Sequence, residues 1–134
     1  MSTITAPAVS TRPDAFLRLA MRADALIVGI AGVGLLAAAG WAADITGLPL
    51  AVERGVGIFS VVYGVVVIAL AAVERVRPGG IGTVIANLVC TVIAVVVVVA
   101  GVFPLTGIGV AAVIGTGLYT LVMAELQYVG LRRI

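Results

Sequence analysis

The chain alternates between four long apolar segments and short polar gaps. The apolar segments cover residues 23–43, 55–73, 81–103 and 106–124, and within them only Asp24 carries a charge at pH 7. A helix needs about 20 predominantly apolar residues to cross the bilayer core, and each segment meets that length. The pattern predicts an all-α, polytopic membrane protein with four transmembrane helices in a bundle.

The gaps carry residues that end helices, among them Pro49, Pro104 and the sequence Pro78-Gly79-Gly80. The third segment contains the β-branched run 92–100, which would favour a strand in water. In hydrocarbon, however, a single segment must satisfy its own backbone hydrogen bonds. A helix is therefore predicted there as well.

Residues 1–11 are predicted to form a flexible cytoplasmic tail, and residues 12–134 a single transmembrane domain. Thr11, Pro13 and Asp14 have the pattern of a helix start with a capping box. Residues 14–24 are amphipathic and either extend helix one into the cytoplasm, the interpretation we favour, or lie on the inner leaflet. Acidic residues in this region argue against a cleaved signal peptide.

Composition agrees with a membrane protein and excludes most catalytic chemistry. The chain is 63% hydrophobic and 10% charged, against about 45–50% and about 25% in soluble domains. It has no His and a single Cys, Cys90, so metal, haem and triad sites lack their usual residues. We expect no catalytic residues, no metal and no cofactor.

The basic residues are all Arg and are distributed unequally between the two ends of the predicted helices. At one end of the predicted helices, the only Arg in a gap is Arg54. The other seven lie on the opposite side, and the positive-inside rule predicts that this side and both termini are cytoplasmic. The absence of Lys, together with heavy use of Ala, Val, Gly and Arg, suggests a GC-rich bacterium and hence a bacterial plasma membrane. The seven are Arg12, Arg18, Arg22, Arg75, Arg77, Arg132 and Arg133.

Uncharged polar residues are predicted near the middle of the spans, counting about 1.5 Å per residue from each end. If they face one another, they form a small pocket for a neutral ligand or a polar headgroup. The alternative is that they only form hydrogen bonds between helices. These residues are Tyr63, Asn87, Thr91, Thr116 and Tyr119.

Charged residues cluster at the predicted inner boundary. We expect Asp24 and Glu125 to form interfacial ion pairs with nearby Arg, because each is placed within about a turn of the end of a predicted span. The alternative is a proton relay or cation site, which an acid inside the membrane indicates by default. The predicted inner-interface set is Arg22, Asp24, Arg75, Arg77 and Glu125.

Small residues recur at helical spacing in the segments. They allow helix backbones to approach closely in lipid, either within one bundle or between copies of the chain. The predicted packing set is Gly34, Ala38, Gly57, Gly64, Gly107 and Gly115.

Several short segments are familiar: residues 17–25, Gly47-Leu48-Pro49, residues 54–57 and residues 126–133. Together they resemble a group of small, uncharacterised four-helix membrane proteins of actinobacteria. That resemblance implies the fold and the source but no activity. Small multidrug-resistance transporters also have four helices, but they require a Glu well inside helix one, where this chain is apolar from Ala25 to Ala43.

These observations predict a non-enzymatic integral membrane protein that acts as an accessory or scaffold subunit or as a lipid-binding module. The alternative is a small transporter or flippase that uses a neutral polar pocket near the bilayer midplane. The expected partners are membrane lipids and other membrane proteins or further copies of the chain, with no nucleic acid.

Overall fold

A computed structural model describes residues 12–134 of the chain, and the predicted tail and its Thr11 cap lie outside them. The described part is helical. Four helices, all except α2, are long and apolar enough to cross a membrane. The five helices are α1 (Ala15–Ala37), α2 (Ala39–Thr46), α3 (Leu50–Ala72), α4 (Arg77–Ala100) and α5 (Gly107–Arg132).

The first helix differs most from its predicted bounds of residues 23–43. It begins at Ala15, so the amphipathic segment is its first part, and it ends at Ala37. The chain leaves helical geometry at Ala38 and continues as the separate helix α2, which carries the exposed Trp41. At the carboxyl end, α5 continues to Arg132 rather than ending its span at residue 124. Helices α3 and α4 match two predicted spans within a few residues, and the β-branched run in α4 is helical.

The long helices pack as two pairs. Helix α1 packs chiefly against α3, and α4 packs chiefly against α5. The pairs are joined mainly where α1 meets α5, whereas α3 and α4 make few contacts. The short helix α2 contacts both α3 and α5 and covers one end of the bundle.

Glycines allow α1 and α3 to approach closely. A Cβ atom on Gly64 would lie 2.7 Å from the carbonyl oxygen of Ala25, and one on Gly32 would lie 2.9 Å from the carbonyl oxygen of Gly57. Real Cβ atoms essentially never come that close, so only glycine fits this crossing without a shift of the backbone.

Of the predicted packing set, Gly57 and Gly64 lie at close helix contacts within the bundle, whereas Gly34, Gly107 and Gly115 have open space around them and make no such contact inside this chain. Ala38 lies at the break between α1 and α2. The helical period alone did not distinguish the helix face that meets another helix from the exposed face. The structure also places glycines that were not predicted at close contacts: Gly29, Gly32, Gly79, Gly80, Gly109, Gly117 and Gly130.

The end of the bundle that holds the α3–α4 turn and the carboxyl terminus, called here the inner end, has an apolar core. Its buried side chains come from α1, α3, the α3–α4 turn and α5. Gly80 and Gly130 touch the Leu17 side of this core, which lets α4 and α5 approach α1. The core residues are Leu17, Met21, Ala25, Val67, Ala71, Val76 and Leu131.

Arg18 closes the carboxyl end of α3. Its guanidinium donates hydrogen bonds to the carbonyl oxygens of Ala71 (2.7 Å), Val73 (2.6 Å) and Glu74 (2.8 Å). The last carbonyls of a helix have no partner within the helix, and a cation suits the negative end of its dipole. Nε of Arg18 also donates a hydrogen bond to Oδ2 of Asp14 at 3.0 Å, and this hydrogen bond lowers the pKa of the Asp14 carboxyl. Asp14 is the residue before α1, and its side chain makes no capping bond to that helix; the predicted capping box includes Thr11, which lies outside the described residues.

The opposite end, called the outer end, is held by contacts between its two turns. Thr106 donates its backbone N–H to the carbonyl of Thr46 at 3.0 Å, and Gly109 packs against the same carbonyl. Gly47 adopts a left-handed conformation with φ of 80° and touches Pro104. A side chain at Gly47 would be strained by the conformation and blocked by this contact.

A buried carboxylate at the junction of four helices

Asp24 lies inside the bundle and not at its edge. It is nine positions after Ala15 in α1, about 14 Å along the helix, and it is 0% exposed. Among residues 12–134, the ion pairs join Asp14 to Arg12 and Arg18, and none includes Asp24. Arg22 and Glu125 are exposed. The expected interfacial ion pair of Asp24 is therefore wrong, because this carboxylate lies on the buried face of α1 and not at the edge of the bundle.

Three other helices direct hydrogen-bond donors at this carboxylate. Oδ2 of Asp24 accepts from the hydroxyl of Tyr63 on α3 at 2.6 Å and from Nδ2 of Asn87 on α4 at 2.9 Å. It also accepts from Nε2 of Gln127 on α5 at 2.9 Å, and Oδ1 accepts from the hydroxyl of Tyr119 on α5 at 2.8 Å. All four long helices thus meet at one acidic group.

The two amides also bind each other. Nδ2 of Asn87 donates to Oε1 of Gln127 at 2.9 Å, while Gln127 donates its own N–H to Asp24. Both amide side chains are almost fully buried. They tie the α4–α5 pair to α1 at a depth where a missing partner would leave a buried polar group unsatisfied.

The local sequence explains why Asp24 points inward. Leu17, Met21 and Ala25 recur at helical spacing and form the buried stripe of α1. Asp24 lies seven positions after Leu17 and so falls on the same face. An acid in an apolar stripe was the available signal, but it was interpreted as interfacial because the span was predicted to begin at residue 23.

The predicted polar pocket is assembled in part. Tyr63, Asn87 and Tyr119 converge on an acid, Asp24, which was not expected in the pocket. Thr91 lies beside it and joins α4 to α5 through the hydroxyl of Thr120, 2.7 Å away.

Thr116 does not belong to the site, since it is exposed and donates to the carbonyl of Ala112 in its own helix. Gln127 and Thr120 were missed. Gln127 lies beyond the predicted end of the fourth span, and only the continuation of α5 to Arg132 brings it into the bundle.

Other side chains decide what can reach the carboxylate. Met21 and Leu17, both 0% exposed, lie on the inner-end side of Asp24 along α1. Tyr63 and Tyr119 are only partly buried, and the ring of Tyr63 stacks on the exposed Phe59 with centroids 6.0 Å apart. The sides of the site are therefore covered by aromatic rings and the inner end by aliphatic side chains.

The arrangement suits the binding of one positive charge. A carboxylate is costly in a medium of low dielectric unless it is paired, and hydrogen bonds from neutral donors offset only part of that cost. Four donors orient Asp24, but no Arg of the described chain neutralises it. No group of three His, Cys, Asp or Glu side chains that could hold a metal ion is found over residues 12–134.

A second buried carboxylate lies at the outer end. Glu53 on α3 is 5% exposed, and the hydroxyl of Thr46 lies 2.7 Å from its Oε1. Glu53 is in the first turn of α3, where the positive end of the helix dipole favours a negative charge. This contact fastens α2 to α3, and it was not predicted.

The chain was compared with protein-family models, with characterised proteins and with solved structures, and none of them matches it. The sequence argument against a small multidrug-resistance transporter concerned a Glu well inside helix one, and the acid that α1 places inside the bundle is Asp24. The function must be argued from the Asp24 site itself.

Proposed function

We propose that the chain is a small transport protein that binds one positive charge, a proton or a monovalent cation, at Asp24 within the membrane. One observation carries the proposal: a fully buried carboxylate accepts hydrogen bonds from three other helices and has no cationic partner in the described chain. Ionisable side chains inside membrane bundles are costly and commonly mark ion or proton pathways.

The helix arrangement is compatible with transport because the site lies between two tightly packed pairs. Helices α1 and α3 form one pair and α4 and α5 the other, with few contacts between α3 and α4. A small displacement of one pair against the other would separate Asp24 from Asn87 and Gln127 without unpacking either pair. Such sliding or hinging of rigid units around a central site is a common form of conformational change.

The inferred location is the plasma membrane of a bacterium, with both termini in the cytoplasm. The support is the Arg distribution: seven Arg lie on the inner-end side and Arg54 on the other. In this orientation the apolar core around Leu17 and Met21 separates Asp24 from the cytoplasm.

Reconstituted vesicles test this function. Vesicles are loaded with a pH-sensitive dye for a proton-gradient arm, and with a sodium-sensitive or potassium-sensitive dye for separate sodium-gradient and potassium-gradient arms. We expect the native chain to carry a flux in at least one arm, and Asp24→Asn to abolish it while keeping the size and polarity of the side chain. Glu125→Gln is the matched control, since it removes an exposed acid from α5. Equal flux in Asp24→Asn and the native chain, or no flux in any arm, overturns the proposal.

A second candidate function, an accessory or scaffold subunit, is supported by an exposed face of α5. Gly107, Ala111 and Gly115 lie four residues apart on α5, all three are exposed, and both glycines have open space around them. Small residues at this spacing favour contact with another transmembrane helix. Mild detergent extraction followed by mass spectrometry tests it: Gly115→Leu should release a co-purifying protein, and purification of the native chain alone as a monomer would refute it.

A further inference from the structure

A groove of about 450 Å³ lies between α4 and α5 at the inner end. It is separate from the Asp24 site and is lined by two kinds of side chain, cationic and aliphatic. The residues that matter here are Arg77, Ile81, Ile85, Tyr128, Leu131 and Arg132.

The cationic part of the groove has unpaired charge. Arg77 and Arg132 are both exposed, and neither forms an ion pair with an acid of the described residues, whereas Arg18 is paired with Asp14. Arg132 lies over the ring of Tyr128, 5.9 Å from its centroid, which helps to hold the guanidinium at the groove. Arg77 is the first residue of α4, where the positive end of the helix dipole also attracts an anion.

The aliphatic part extends along α4 away from these charges. Ile81 and Ile85 follow Arg77 by one and two helical turns, or about 6 and 12 Å. Ile81 is 41% and Ile85 57% exposed, so the described chain leaves both largely uncovered. The groove is therefore cationic at the inner end and apolar along the helices. A phospholipid has the same arrangement, with a charged headgroup followed by an apolar acyl chain.

We propose that this groove binds an anionic phospholipid, with its phosphate between Arg77 and Arg132 and one acyl chain along Ile81 and Ile85. Basic pockets between transmembrane helices on the cytoplasmic side select anionic headgroups, because each Arg near the surface adds attraction for negative charge. A soluble phosphate would use the two guanidinium groups but leave the aliphatic walls unused. A phospholipid uses both the cationic and the aliphatic part of the groove, which favours a lipid as the ligand.

A comparison of an anionic with a neutral lipid tests the contribution of the Arg77 and Arg132 charges to binding. The purified full chain in neutral detergent is titrated with phosphatidylglycerol and with phosphatidylcholine, and bound lipid is measured by native mass spectrometry. We expect the native chain to prefer phosphatidylglycerol, and the Arg77→Gln/Arg132→Gln variant to lose about 30-fold of that affinity. The matched control, Arg22→Gln/Arg75→Gln, removes the same charge from exposed inner-end positions outside the groove and should retain the preference.

A second comparison tests the aliphatic wall. Ile85→Ser should weaken phosphatidylglycerol binding several-fold, whereas Ile93→Ser, on an exposed part of α4 outside the groove, should not. Glycerol phosphate, which has the headgroup chemistry without a chain, should not compete. If it competes as well as the lipid, the groove is an anion site and the lipid assignment is wrong.

Equal affinity for the two lipids, or equal losses in the groove and control variants, overturns the proposal. Circular dichroism and gel filtration monitor folding, and if the double variant fails to fold, Arg132→Gln alone provides the test. Asp24→Asn should leave lipid preference unchanged, so this proposal and the transport function succeed or fail separately.

Discussion

The hydrogen bond between Asn87 and Asp24 can be tested by a double-mutant cycle. In Asn87→Leu, the carboxylate loses one of its four donors and Oε1 of Gln127 loses its partner. A hydrogen bond to a charged group contributes about 1.5–3 kcal/mol, and a neutral one about 1 kcal/mol. We therefore expect the free energy of unfolding to fall by about 2–4 kcal/mol.

Asp24→Asn should behave differently although it alters the same cluster. An Asn can place its oxygen where Oδ2 lies, and its NH₂ can face the hydroxyl of Tyr119, which also accepts hydrogen bonds. The hydrogen bonds become weaker, but the cost of a buried charge disappears, and these terms have similar size. The net change should be within about 1 kcal/mol, and Asn87→Leu should cost about 0.5–2 kcal/mol less in this background than in the native chain, the difference between a charged and a neutral hydrogen bond.

Unfolding by an anionic detergent in mixed micelles provides the measurement. Far-ultraviolet circular dichroism reports the helices, and Trp41, the only Trp, reports the outer end. Thr91→Val is the matched control, since it removes only neutral hydrogen bonds, to Gly117 and Thr120 on α5, one turn further along α4, and should cost about 0.6 kcal/mol per contact. A coupling energy near zero between positions 24 and 87 would refute the described network.

Three further predictions concern the Arg18 contacts and the packing of the bundle. Arg18→Met removes the buried cap from α3 and should lower the free energy of unfolding by about 3–5 kcal/mol, whereas Arg22→Met, exposed on the same helix, should stay within about 0.5 kcal/mol. Because the folded state lowers the pKa of Asp14, its pairing with Arg18 stabilises the protein above the ordinary value of 3.8. That contribution is lost as the pH falls through the lowered pKa of Asp14 in the folded state. When the free energy of unfolding of Arg18→Met is measured at decreasing pH, this loss should be absent. Gly64→Ala should destabilise the bundle by about 1–3 kcal/mol, because its Cβ would meet the backbone of α1. Gly34→Ala, in open space, should be neutral or stabilising by up to about 1 kcal/mol, and equal effects in the two Gly variants would contradict the described helix crossing.

Some members of the candidate site were visible in the sequence, but the pattern did not show how they meet. Tyr63, Asn87, Thr91 and Tyr119 were identified by their predicted depth. The charge of the site was missed because Asp24 was placed at the start of a span and Gln127 beyond the end of another. Helix ends in the interface are weakly specified, since polar side chains there can bind water or other helices. The first span was predicted to begin at residue 23, about two turns after the start of α1 at Ala15. Asp24 was therefore placed at the edge of the bundle and not in its interior.

Sequence alone determined the number of long apolar helices that could cross a membrane and their helical state, because an apolar segment in lipid must satisfy its own backbone hydrogen bonds. It did not determine which face of each helix turns inward, because lipid and protein interiors are equally apolar and hydropathy cannot distinguish them. Tertiary packing decided that question through shape and hydrogen bonding. Gly32 and Gly64 admit α1 to α3, Gly34 and Gly115 face outward, and Asp24 is buried where four donors meet it.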